Sequence, residues 1–79
     1  MTNQTLFSLP VGAGGTVGAV GLSGVMRRRL LDLGLVPGAC VRCLYAAPSG
    51  NPRAYLVRGT VIALRNQDAR GVALRQLWA

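Results

Sequence analysis

The chain contains no lysine, no histidine and no glutamate, and its only acidic residues are Asp32 and Asp68. General acid or base catalysis near neutral pH draws on His, Glu, Asp, Lys or a tuned Cys, so little is left from which to build an active site. A Walker A loop is excluded by the missing lysine, and the glycines at 12, 14, 15 and 18 do not satisfy a dinucleotide fingerprint. Asp32 falls in a helical stretch among basic residues and Asp68 at a turn element, positions that suit structural roles. The chain is therefore expected to act without catalysis and without a cofactor.

Cysteine is equally sparse. Cys40 and Cys43 form one C-x-x-C, with no second pair and no histidine to complete a four-ligand zinc site within the chain. Residues three apart on a strand point to opposite faces. Arg42 marks the solvent side, which turns Cys40 outward and Cys43 inward with Val41 and Tyr45. No metal site is expected.

Long hydrophobic runs are absent as well. The uncharged stretch from Thr2 to Met26 has no basic leader, and Pro10 with six glycines breaks it well short of the about 20 apolar residues a spanning helix needs. A cytoplasmic location without membrane insertion is the expectation, with peripheral attachment at the inner face of the cell membrane only through a partner.

What the chain does have is arginine. All its positive charge is arginine, and the formal net charge is +7 over 79 residues, which predicts attraction to acidic partners, membrane surfaces or nucleic acid. A chain of this length is expected to form a single domain, 1–79, and one so small buries only about 60% of its unfolded surface, so a partner covering one face would help it.

The most specific segment is Arg27-Arg28-Arg29-Leu30-Leu31-Asp32-Leu33-Gly34-Leu35-Val36-Pro37-Gly38. Ser23 is a suitable N-cap, Met26, Leu30 and Leu33 recur at helical spacing as the buried stripe, and Gly34 can take the left-handed conformation of a C′ residue. Consecutive helical positions are fanned by about 100°, so Arg28 lies nearly opposite the stripe while Arg27 and Arg29 flank it.

Around the helix the sequence predicts short strands: 16–22, 39–47, 53–58, 60–64 and 71–76, with a hairpin tip at 48–52 and a helical turn over 66–69 capped by Asn66. Five short strands and one helix suggest a small closed or nearly closed barrel, since closure hides strand edges. A hairpin centred on Gly50 would pair Tyr45 with Tyr55, Leu44 with Leu56 and Arg42 with Arg58. Alternation then puts Arg42, Leu44, Leu56 and Arg58 on one outer face, a patch suited to a partner.

The segment at 27–38 resembles the "RRLLDLGLVPG" motif of the FeoA family, small cytoplasmic proteins of bacterial ferrous-iron transport. Leu6, Leu9, Gly12 and Val17 fit that family's opening pattern, Ala47 to Pro52 its "AP.GDP" turn, Tyr55 to Gly59 its "VRG" strand, and Ala63-Leu64-Arg65 with Asp68-Ala69 its "ALR..(E/D)A". Asn51 stands where an Asp is usual, and Thr60 where an aromatic is common. The resemblance implies a mostly β, SH3-like barrel with one short α-helix inserted after the first strand. It further implies a non-catalytic accessory or regulatory role, with the cytoplasmic domain of the membrane permease FeoB as partner. Arg27, Arg28, Arg29, Arg42, Leu44, Leu56, Arg58 and Arg65 are the partner-binding candidates; homo-oligomerisation is left open. Two other classes fit the composition less well. One is a small-barrel nucleic-acid binder, supported by charge but offering only four aromatics, with no specific sequence expected to be bound. The other is an SH3-like domain related to metal-dependent repressors, whose DNA-binding and metal-ligand regions this chain lacks.

Overall fold

Short apolar runs punctuated by Gly and Pro build five strands: β1 (Gly14–Val20), β2 (Cys40–Ala46), β3 (Arg53–Val57), β4 (Thr60–Leu64) and β5 (Val72–Trp78). Helix α1 (Gly24–Asp32) lies between β1 and β2, and the four-residue α2 (Asn66–Ala69) between β4 and β5. The computed structural model describes residues 4–78. The strands form one antiparallel sheet in the order β4-β3-β2-β1-β5, and α2 carries the chain from one edge strand to the other. The chain is thus mostly β, with its main helix inserted after the first strand.

The core draws on every layer: Leu6 and Leu9 from the N-terminal segment, Val17, Leu30, Val41, Cys43, Tyr55, Val57 and Val72. The N-terminal segment, which sequence patterning left unassigned, contains a 3-10 turn at Leu6–Ser8 and pairs Thr5 with Ala73 of β5.

Helix α1 ends as its sequence dictates. Gly34 takes φ +104°, its amide donates to the Leu31 carbonyl at 3.0 Å, and the Leu35 amide reaches back to the Leu30 carbonyl at 3.0 Å. These are the two bonds of a Schellman motif, completed by the apolar pair Leu30 and Leu35 in the core. The turn also corrects the expected stripe. Leu33 is the C-cap and 37% exposed, because Leu35, brought inward beyond Gly34, fills the space instead. Met26 is half-buried against the core. At the other end Ser23 occupies the N-cap without a side-chain cap bond; Gly24, directly after it, takes φ +67°, which turns the first turn away from the usual capping geometry.

The β2–β3 hairpin differs from its expected register. Arg42 faces Leu56, Cys43 faces Tyr55 and Val41 faces Val57, two residues away from the anticipated pairing. Two steps make up the offset: next to the tip Tyr45 already pairs with Ala54, one residue away, and the β2 bulge between Cys43 and Tyr45 adds the second. β3 then stops at Val57, because Arg58 and Gly59, both at positive φ, make the two-residue turn into β4. A shift of two preserves faces, so Arg42 and Leu56 still share a side and Leu44 and Leu56 stay half-buried, outside the core. The bulge rotates Tyr45 outward to 60% exposure, against the inward position that strict alternation gave it.

The hairpin tip is fastened to α2. Asn51 Oδ1 accepts from the Asn66 amide at 3.0 Å, and Asn66 Nδ2 donates to the Gly50 carbonyl at 3.0 Å. Asn66 is thus the first residue of α2, capped by Asn51 from across the fold, and Arg65 holds the N-cap position assigned to Asn66 from sequence.

Candidate partner-binding surface

The eight candidate residues separate into four places. Arg27 and Arg28 are exposed on α1 beside Val25, Leu31 and Asp32, where they line a wide, open depression. Val25 is 85% exposed on the same helix, so this surface joins charge to an uncovered apolar side chain.

Arg29 and Arg65 come together at a second site. A groove of about 330 Å³ runs between α1 and β4, with Met26, Leu30, Leu33 and Val61 among its apolar walls and Arg29, Arg65 and Asp68 its charged groups. It exists because α1 meets the barrel on a narrow footprint around Leu30, leaving Val61 uncovered at 55% exposure. Apolar floors rimmed by polar groups are characteristic of interaction surfaces.

Arg42, Leu56 and Arg58 meet at a third site, a cavity of about 200 Å³ shared with Cys40, Gly59 and Trp78. The Arg42 guanidinium lies 5.2 Å from the centroid of the Trp78 ring and donates to the Gly12 carbonyl. The indole itself rests on Gly14, where a Cβ would clash with the ring. Arg58 has φ +52° and lays its stem over Gly34, close enough that a Cβ there would meet the Arg58 Cδ at 2.6 Å. A side chain in the left-handed region costs on the order of 1–2 kcal/mol. Leu44, in the β2 bulge, is the candidate that stands apart from these clusters.

Cys40 is exposed and Cys43 fully buried, the opposed placement that strand geometry predicts. Among the described residues, no three of His, Cys, Asp and Glu gather where they could hold a metal ion. No helix there is long and apolar enough to cross a membrane.

Sequence reasoning missed Arg53. Its guanidinium donates to the carbonyls of Phe7 at 2.7 Å and Leu9 at 2.6 Å, contacts Cys43 Sγ at 3.5 Å and lies 5.9 Å from the Phe7 ring centroid. Tyr55, two residues on, donates its hydroxyl to the Leu6 carbonyl at 3.0 Å. Burial pushes the Tyr55 phenol up to about 12, with the nearby Arg53 charge opposing that rise. The signal for Arg53 was period two: it shares a face with Tyr55 and Val57, both buried.

The FeoA domain model matches residues 4–76. Among solved structures, the solution structure of the FeoA protein from Chlorobium tepidum is 34% identical with a TM-score of 0.84, covering 91% of this chain and 70% of that one. Stenotrophomonas maltophilia FeoA, crystallised in complex with zinc and described as a prokaryotic SH3 domain protein, is 33% identical with a TM-score of 0.81, covering 90% of this chain and 88% of that one. A manganese-dependent transcriptional repressor shares the fold at 17% identity and a TM-score of 0.75, over 91% of this chain and 40% of that one. No curated protein sequence matches the chain. The SH3-like architecture expected from the sequence is that of these relatives, and the chain belongs to the FeoA family.

Proposed function

We propose that this protein is a non-catalytic accessory factor of ferrous-iron uptake that docks on the cytoplasmic domain of the permease FeoB. The relative from S. maltophilia is described as a candidate ferrous iron transport activating factor, which supports the transport role. The observation that carries the docking reading is the arginine surface around α1: Arg27, Arg28, Arg29 and Arg65 are all exposed beside apolar groups and outnumber the acids there, Asp32 and Asp68, by two to one. Arginine's planar fork grips carboxylates and phosphates bidentately, which suits an acidic or nucleotide-bearing partner.

Aromatic placement weighs against the nucleic-acid reading. Phe7 lies under Arg70, 4.2 Å from its centroid, Trp78 rests between Gly14 and Arg42, and Tyr55 is buried. Tyr45 alone is freely exposed, too little for a row of stacked bases.

The test is retention of the protein on immobilised FeoB cytoplasmic domain at physiological salt, with and without guanine nucleotide. Retention in at least one nucleotide state, lost in an Arg29→Glu, Arg65→Glu double variant, is expected. Failure to bind in every nucleotide state overturns the reading.

A further inference from the structure

The cavity of about 200 Å³ formed by β2, the β3–β4 turn and the end of β5 carries two arginines, Arg42 and Arg58, and, among the described residues, no acidic side chain. Both are restrained. Arg42 is held by the Trp78 ring and by one hydrogen bond to the Gly12 carbonyl, and among the described residues no other group takes up its remaining donors. Arg58 sits at the first position of a turn where Asn or Gly would be at ease, and it keeps a left-handed backbone there. Strain of this kind persists where a side chain is needed at one spot. Restraining a long cation before its ligand arrives removes much of the ordering cost of binding.

We propose that this cavity receives a carboxylate side chain from an acidic peptide segment, with Arg42 and Arg58 as the anion-binding residues and Leu56 and Val41 as its apolar walls. Three features select that ligand. The volume suits one side chain, since pockets for whole small molecules run from about 300 Å³ upwards. The indole is already occupied by Gly14 and Arg42, so no base can stack on it. The net charge of +7 favours an acidic segment over a neutral one. The proposal assigns a ligand chemistry to one arginine cluster of the accessory reading, and it rests on that reading only for which protein supplies the segment.

Trp78 is the single tryptophan and lines this cavity, so its fluorescence follows binding there, and the Arg42 and Arg58 variants separate that signal from binding at the other face of the ring. The isolated chain is titrated with N-acetylated, amidated hexaglutamate, and in parallel with inorganic phosphate and with ATP at equal ionic strength. A saturable change with hexaglutamate is expected, at lower concentration than with either phosphate compound. It should weaken by at least about fivefold in Arg42→Gln and in Arg58→Gln, and by less than about twofold in Arg75→Gln, an equal charge change on exposed β5. Arg58→Asn serves as the folding control, because Asn tolerates the turn: it should melt no lower than wild type and still lose the peptide. No saturable change, equal weakening in Arg75→Gln, or tighter binding of phosphate or ATP overturns the proposal. Capture of hexaglutamate without retention on the permease would sink the accessory reading alone; retention without capture would sink this one.

Discussion

Two regions of this small molecule use arginine in opposite ways. Where the N-terminal segment crosses β3, Arg53 is spent on the fold: two carbonyls, a thiol and an aromatic ring take up its guanidinium, while Tyr55 ties down a third carbonyl. On α1, Arg27, Arg28 and Arg29 are all exposed, and the helix meets the barrel chiefly through Leu30 and the half-buried Met26. One region is fastened to the fold; the other is presented to solvent. Residue type does not separate the two uses; what satisfies the side chain does.

Breaking the fastened region should have the largest effect. Tyr55→Ala removes a fully buried aromatic and its bond to Leu6, at a cost of about 3–5 kcal/mol, a large share of the stability of a small domain. Urea denaturation would show it. Tyr55→Phe keeps the packing and exposes a pH dependence. The folded phenol titrates near 12 against an unfolded value of about 10, so the folded state holds more protons between those values. Stability is then full below pH about 10 and declines as pH rises towards 12, by on the order of 2–3 kcal/mol. Tyr55→Phe should lack that decline; parallel slopes for the two proteins would show that the phenol is not responsible.

Arg53→Met comes next. It preserves an apolar stem while leaving the Phe7 and Leu9 carbonyls without their donor. Hydrogen bonds to a charged group contribute about 1.5–3 kcal/mol, and a loss in that range is expected by chemical denaturation. Amide exchange should quicken first around residues 5–9, since these residues depend on Arg53 and Tyr55. A loss spread evenly over the sheet would blur the contrast between fastened and presented arginines.

The sequence made some of this legible and hid the rest for physical reasons. Helix α1, the Gly34 stop and strand β4 could be read because each depends on local chemistry: spacing, a residue without Cβ, a short apolar run. Hairpin register could not, because the one-residue offset at the tip and the bulge at Cys43–Tyr45 are set by how β2 and β3 pair within the sheet. The candidate arginines were recognisable as a set, but their grouping into Arg29 with Arg65 and Arg42 with Arg58 depends on contacts between elements distant in sequence. Arg53 was hidden because a charged residue opening a strand reads as solvated; period two puts it on the inner face, and the path of the N-terminal segment half-buries it there.

Asn51→Asp sharpens the comparison in the stabilising direction. The Asn51 side chain accepts from the first amide of α2, and a carboxylate at that place keeps the bond while adding negative charge near a helix N-terminus. A gain of about 0.3–1 kcal/mol is expected, diminishing with added salt. An unchanged melting temperature at low salt would mean that the bond does not tighten when charged.

The smallest effect on stability, and the one on which the contrast turns, belongs to Arg27→Gln, Arg28→Gln, Arg29→Gln made together. Neighbouring positions on a helix do not face one another, so the three charges repel only weakly. Arg29 lies in the last turn, where a cation gains a few tenths of a kcal/mol from the helix dipole. Losing that gain and relieving the repulsion nearly cancel, and glutamine is as good a helix former as arginine. Denaturation should therefore shift by less than about 0.5 kcal/mol, the range of surface substitutions that touch no special feature. If α1 is presented rather than fastened, retention on the permease's cytoplasmic domain should nonetheless fall by at least about tenfold, equivalent to about 1.4 kcal/mol of binding. A variant that loses more than about 1 kcal/mol of stability would place these arginines with Arg53 among the groups that hold the fold. A variant that keeps both stability and retention would move the docking surface off α1.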